Sequence, residues 1–281
     1  MDKAGLFVGI NEFKNFPAYK LRGCVNDARM MESLYIDLYG FRPEMCTVLT
    51  DAQATKFAVM ARLRSLIKQA NAGALSHIVF SLSTHGTQIR DIDGDESDGR
   101  DEAFILHDVD MGKESWMPDT IIVDDEFGNL FKTLNPGVLL EVFLDTCHSG
   151  TGLRGAEFGV HRAVPRYVSL PNDSVYKAAR ILSRTRRIRR HDLPPASDNV
   201  VLWSGCASNE TSADAYFYPT GYGGAFTYTY YQAMQQMSGR NYNRVDLLRR
   251  ICDSMRGKFT QTPQLETSTV NRDKSLVPFC P

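Results

Sequence analysis

Apolar positions follow two different periods along the first half of the chain. Residues 4–10 (AGLFVGI), 46–49, 77–83 (HIVFSLS) and 138–144 (VLLEVFL) are short continuous apolar runs. Runs of this kind predict strands buried on both faces. Between them, residues 25–39 place Ala28, Met31, Leu34, Tyr35 and Leu38 on one helical stripe, which Gly40 ends. Residues 55–72 place Val59, Leu63, Leu66, Ile67 and Ala70 on a second stripe. A further strand begins at 199–203, and helical patterns return at 224–237 and 244–258. Apolar strands alternating with amphipathic helices predict an α/β fold, a mainly parallel sheet covered on both faces. The ligand site of such a fold lies beyond the carboxyl ends of its strands.

One stretch departs from this pattern. Residues 151–198 have little periodicity and carry ten Lys or Arg against four acidic residues, with Arg184, Arg186, Arg187, Arg189 and Arg190 followed by Pro194 and Pro195. This predicts a long exposed basic linker inside the chain.

Composition narrows the function classes. The 281 residues are 43% hydrophobic and 23% charged, which suits a folded globular chain and excludes a disordered one. A net charge of −1 gives no reason to expect nucleic acid or an anionic membrane as partner. No apolar run approaches the roughly 20 residues of a membrane span. The run at 4–10 is too short for a signal peptide, and Glu12 and Lys14 follow at once. The six cysteines (24, 46, 147, 206, 252 and 280) show no metal-type pairing such as CxxC. Free thiols in a reducing, cytoplasmic setting are the expectation.

Two strand ends carry chemistry. The run HIVFSLS leads into Thr84-His85-Gly86, and the run through FLDT leads into Cys147-His148-Ser149-Gly150. A thiol and an imidazole at neighbouring strand ends make a nucleophile–base pair. The histidine raises the thiolate fraction and later protonates a leaving amine, and nearby backbone N–H groups bind the developing oxyanion. By chemistry alone this is a candidate cysteine hydrolase.

Several separated segments then speak together: Gly9-Ile10-Asn11, LRGCVNDA at 21–28, HGTQIRDIDGDESDGRDE at 85–102, IVDDE at 122–126, FLDTCHSGTGL at 143–153, SGCASNETSADA at 204–215 and QTPQLE at 261–266. In this order they resemble the metacaspases, caspase-fold cysteine peptidases. The resemblance implies a caspase-like three-layer αβα sandwich around a mainly parallel six-stranded sheet. It implies one domain over 1–281, with a large-subunit-like part at 1–155, the basic linker at 156–198 and a small-subunit-like part at 199–281. It makes His85 the general base and acid, Cys147 the nucleophile, and the Gly86 and Cys147 amides the oxyanion hole. It also implies cleavage of protein or peptide substrates after Arg or Lys, with Asp27 and Asp145 as the acidic wall of the pocket and Cys24 and Ser83 beside them. Carboxylates suit a cationic side chain. From the residues alone, Asp27 reads first as a helix N-terminal carboxylate on the 25–39 helix.

Calcium enters through the same resemblance, with Asp101, Asp124 and Asp125 as the corresponding ligands. The loop at 91–102 sets Asp91, Asp93, Asp95 and Glu102 at EF-hand-like positions, but Glu96 stands where that motif needs glycine. Two residues depart from the family pattern. Thr84 replaces a glycine, predicting a narrower approach to the site, and Arg154 replaces an aspartate, which weakens the calcium expectation. No organic cofactor is expected, and a monomer is. Self-processing is expected in the linker, at Arg180, Arg184, Arg186, Arg187, Arg189 or Arg190. The alternatives are a caspase-fold peptidase of another specificity, and a calcium-responsive scaffold without catalysis, against which an intact His85 and Cys147 speak.

Overall fold

The computed structural model describes residues 1–90, 100–113, 115–147, 163–169, 198–207 and 210–276. In its first half the chain runs β1 (Asp2–Gly9), α1 (Cys24–Tyr39), β2 (Cys46–Thr50), α2 (Lys56–Asn71), β3 (Leu75–Ser83), β4 (Gly86–Arg90), β5 (Arg100–Ile105), β6 (Ile121–Val123), α3 (Asp124–Phe131) and β7 (Leu139–Asp145). It continues through β8 (Val164–Pro165), β9 (Val200–Ser204), β10 (Ala213–Phe217), β11 (Gly221–Gly224), α4 (Ala225–Met237), β12 (Tyr242–Asn243), α5 (Arg244–Met255), β13 (Gln264–Thr267), α6 (Thr269–Asp273) and β14 (Ser275–Leu276).

Six strands make the central sheet, in the order β13-β9-β7-β3-β1-β2. β1 pairs in parallel with β2 and β3, β3 with β7, and β7 with β9, while β13 runs antiparallel to β9. Side chains alternate across the sheet. Leu6 and Val8 of β1 point into a core with Val59 and Leu63 of α2, Phe127 of α3, and Phe80, Leu140 and Val142. Phe7 points the other way, into a core with Ala28 and Met31 of α1, Tyr230 of α4, Leu247 of α5, and Val79, Phe143 and Trp203. These are the three layers of an αβα sandwich. Fully burying each such large apolar side chain contributes roughly 1.5–3 kcal/mol.

The ends of α1 follow from local chemistry. Asn11 Oδ1 accepts from the Cys24 and Val25 amides, which would otherwise be unpaired at the helix start. Gly40 closes the helix with φ 64°, a conformation that favours glycine. Gly9 ends β1 where a Cβ would lie 2.1 Å from the Cys24 carbonyl oxygen, so only glycine lets strand and helix approach this closely.

Register sets the functional edge. Gly9 pairs with Ser83 and Ser83 with Asp145, so the carboxyl ends of β1, β3 and β7 stop at one level. Two small antiparallel sheets, β4-β5-β6 and β11-β10-β8, flank the cleft beyond that level. No described helix is long and apolar enough to cross a membrane.

Candidate active site

Because Ser83 and Asp145 are register partners, Thr84-His85 and Thr146-Cys147 leave adjacent strands side by side. His85 is buried, and its Nε2 lies 2.7 Å from the Tyr19 carbonyl oxygen. A carbonyl only accepts, so Nε2 carries the hydrogen and Nδ1 is left as the basic nitrogen. Among the described residues Nδ1 makes no hydrogen bond. Burial holds the imidazole pKa down at about 4, against the raising effect of the Tyr19 carbonyl. The ring is therefore neutral and able to accept a proton at neutral pH. Cys147, just past the end of the neighbouring strand β7, is also buried. Its thiol donates to the Ser212 carbonyl at 3.2 Å, and Sγ accepts from the Ser212 amide.

The acidic pocket is built from three elements. Asp27 lies in the first turn of α1, Asp145 ends β7, and Asp214 sits on β10. All three are buried around the guanidinium of Arg166. Arg166 Nη2 lies 2.6 Å from Asp27 and 3.0 Å from Asp214, and Nη1 lies 3.3 Å from Asp145 and 3.1 Å from the Asp145 carbonyl oxygen. Each carboxylate is also held from behind. Asp27 accepts from the Gly224 amide at 2.8 Å, and Asp145 from the Thr227 amide and hydroxyl at 3.0 and 2.7 Å and from the Ser212 hydroxyl. Asp214 accepts from the Arg22 and Gly23 amides, both at 2.9 Å. Burial raises the Asp27 pKa to about 7, with the guanidinium pulling the other way. A cluster of buried carboxylates without a cation would be costly.

The predicted pocket neighbours are close by. Cys24 is buried at the head of α1, within reach of the field of Arg166, and burial raises its thiol pKa well above the usual value. Ser83 is buried at the end of β3, and its hydroxyl has no hydrogen-bond partner among the described residues. Gly86 opens β4, and its N–H donates to the Arg166 carbonyl at 2.9 Å.

One expectation needs correction. The stretch 156–198 is not an exposed linker throughout: Arg166 is fully buried and Val168 nearly so, because three carboxylates and a strand pairing hold this piece in the cleft. Thr84 follows directly on the end of β3. It is fully buried, and its hydroxyl turns to the Ile105 carbonyl of β5 at 2.7 Å. The EF-hand-like positions Asp91, Asp93 and Asp95, together with Arg154 and the arginines at 180–190, lie outside the described residues.

The expected calcium ligands lie on neighbouring elements, Asp101 on β5 and Asp124 and Asp125 in the first turn of α3. Ala103 of β5 pairs with Val123 of β6, immediately before that turn. Yet no group of three or more His, Cys, Asp or Glu among the described residues is arranged to hold a metal ion. These three aspartates do not make a calcium site by themselves.

Residues 3–155 match the family model for the metacaspase, peptidase C14 domain. A Metacaspase-1 of Ajellomyces capsulatus is 30% identical over 95% of this chain and 80% of its own length. The chain belongs to the metacaspases. A Metacaspase-1 of Eremothecium gossypii is also 30% identical, over 95% of this chain, and the chain spans 64% of that protein's length. Among solved structures, the GSU0716 protein of Geobacter sulfurreducens superposes with a TM-score of 0.66 at 25% identity, over 98% of this chain and 97% of that one. Caspase-1 of Spodoptera frugiperda superposes with a TM-score of 0.57 at 14% identity, covering 98% and 88%, and shares the fold.

Residues that sequence reasoning did not assign also stand at this candidate site of the metacaspase. Tyr19 supplies a carbonyl, which no side-chain pattern marks. Asp214 and Ser212 stand in the SGCASNETSADA segment, but their roles depend on β10 folding over the cleft. Gln261, in QTPQLE, holds this segment by donating to the Ser212 hydroxyl at 3.1 Å and accepting from the Ala213 amide at 2.9 Å. Gly224 leaves room for the guanidinium: a Cβ there would lie 2.1 Å from an Asp145 oxygen and 2.5 Å from Arg166 Nη1.

Proposed function

We propose that this metacaspase is a cysteine endopeptidase that cuts peptide bonds after Arg or Lys. The observation that carries the specificity is the pocket of Asp27, Asp145 and Asp214 with a guanidinium seated in it. An acidic first-residue side chain would meet three like charges there. Two observations support the chemistry: Cys147 and His85 follow register-paired strand ends, and His85 Nδ1 makes no hydrogen bond among the described residues. The Cys147 thiol turns from the Ser212 carbonyl and gives its proton to His85 Nδ1. Sγ then bonds to the substrate carbonyl carbon, and the Gly86 N–H donates to the developing oxyanion. The carbon–nitrogen bond breaks, and His85 protonates the departing amine. A water, losing its proton to His85, then hydrolyses the thioester and frees Cys147.

The test is a panel of fluorogenic peptides that differ only in Arg, Lys or Asp at the cut residue. Turnover is expected for Arg and Lys alone, falling on the order of 10⁴-fold or more in Cys147→Ala. Turnover after Asp with none after Arg would sink the assignment. A second part of the proposal is calcium activation, with Asp101, Asp124 and Asp125 as three of the ligands and further oxygens needed to complete the site. The same panel run with chelator and then with added calcium tests it, and identical rates throughout would retire calcium.

A further inference from the structure

Cys206 is a second buried thiol at the catalytic edge of the sheet. It stands two residues past the end of β9 (Ser204), as Cys147 stands two residues past the end of β7 (Asp145). The two strands run in parallel with Leu144 opposite Ser204, and the Gly205 N–H extends the pairing by donating to the Leu144 carbonyl at 2.8 Å. In the sheet order β3-β7-β9, Cys147 therefore leaves the middle strand, with His85 following one neighbour and Cys206 the other. The Cys206 thiol donates to the Thr146 carbonyl at 3.4 Å and is also hydrogen-bonded to the Cys147 thiol. The turn that carries it is held on both sides. Gln261 Nε2 donates to the Gly205 carbonyl at 2.7 Å, and the Ala207 N–H donates to the Glu210 carboxylate at 3.2 Å. Glu210 is fixed in turn by the amide and hydroxyl of Thr262.

Each thiol has one proton to place. In the resting site the Cys147 proton goes to the Ser212 carbonyl and the Cys206 proton to the Thr146 carbonyl. When Cys147 passes its proton to His85, its sulfur becomes an anion that only accepts. The Ser212 N–H already donates to that sulfur, and the Cys206 S–H is a second donor within reach. A hydrogen bond to an ion is stronger than one between neutral groups, so the S–H gains by turning from carbonyl to thiolate. Cys206 keeps its own proton meanwhile. The hydrogen bond to Cys147, and then burial, push its thiol well above the usual range, and the charges of Asp145 and Glu210 act in the same direction.

We propose that Cys206 is a positioning residue for the nucleophile, whose S–H donates to the Cys147 thiolate while the proton is on His85 and returns to the Thr146 carbonyl once that sulfur is acylated. This deepens the peptidase reading above and rests on Cys147 as the nucleophile. A thioester sulfur is a weak acceptor, so the donor favours the ionised sulfur over the acylated one. When water breaks the thioester, the sulfur leaves as a thiolate, meets the same donor, and takes its proton back from His85. The arrangement raises the thiolate fraction and moderates the reactivity of each thiolate, since nucleophilicity falls as basicity falls.

The experiment measures alkylation of Cys147 by iodoacetamide from pH 5 to 9, by peptide mass spectrometry, in wild type, Cys206→Ser and Cys206→Ala, with unfolding midpoints alongside. His85, Asp145 and Glu210 are unchanged in all three forms. Cys206→Ala is expected to react about threefold or more slowly than wild type at the acid end, where less thiolate forms, and faster at the alkaline end, where its thiolate is the more basic. The two profiles therefore cross. Cys206→Ser keeps a donor of similar reach and is expected to react at the acid end at least as fast as wild type. A side chain that only fills space would scale the rate by one factor at every pH. Cys206→Ala profiles that superpose on wild type or differ by one factor throughout, Cys206→Ser behaving as Cys206→Ala, or a folded wild type unlabelled at Cys147 across the range each overturn the proposal. Cys147→Ala assayed on the Arg fluorogenic peptide separates the two readings. Retained turnover there removes Cys147 as nucleophile and this proposal with it, whereas lost turnover beside an unshifted Cys206→Ala profile removes only the role of Cys206.

Discussion

At the residue scale, the pocket depends as much on an absent atom as on charges. Gly224 gives its amide to Asp27 and lets Asp145 and a guanidinium pass where a Cβ would stand. Gly224→Ala is therefore expected to raise KM for Arg peptides by about tenfold or more, the equivalent of losing roughly 1.4 kcal/mol of binding, with unfolding midpoints checked alongside. An unchanged KM would mean that the substrate cation does not reach this depth. The titration of the two key side chains divides the pH profile. Asp27, raised to about 7 by burial, loses its charge as pH falls through that value, so KM for Arg peptides should rise on the acid side. His85, held near 4 by burial, stays neutral over the same range and should not limit kcat there. Measuring KM and kcat separately from pH 5 to 8 checks this, and Asp27→Asn should flatten the KM limb.

At the element scale, the alternation of apolar runs and amphipathic stripes made the central sheet and its main helices legible. Burial on both faces leaves a mark in composition that no partner has to complete. The small sheets did not show. Strands β4, β5, β6, β8, β10 and β11 are short and carry mixed side chains, so their pairing is decided by what lies opposite. Of the site, His85 and Cys147 were readable because they follow apolar strands and precede small residues, and Asp27 and Asp145 because their segments resemble those of the family. Arg166 was not, being one of ten cations in its stretch. Only three carboxylates brought together from α1, β7 and β10 single it out. The sheet also buries a second ion pair, away from the cleft. Glu141 in the middle of β7 accepts from Arg244 of α5 at 2.6 and 3.0 Å and lies 3.2 Å from His77 Nε2 and from the Tyr35 hydroxyl. Burial alone would raise its pKa, but Arg244 and His77 outweigh burial and hold it down at about 2. Arg244→Ala strands a buried carboxylate and is expected to cost about 3–5 kcal/mol in denaturant unfolding. A loss below about 1 kcal/mol would show that water reaches Glu141.

At the scale of the whole molecule, folding gathers His85, Cys147, Asp27 and Asp214 from distant parts of the chain onto one sheet edge. It closes that edge with the chain's own arginine. The same neutralisation that makes the buried carboxylates tolerable describes what the vacated pocket would take, a long cation carried on an extended strand. The most direct check on nucleophile and pocket together is labelling by a peptidyl ketone that alkylates thiols, made with Arg or with Asp at the cut residue, and read by peptide mass spectrometry on Arg166→Lys. The account predicts a single adduct on Cys147 from the Arg reagent and none from the Asp reagent. An adduct from the Asp reagent alone, or modification of another cysteine with Cys147 untouched, would contradict it.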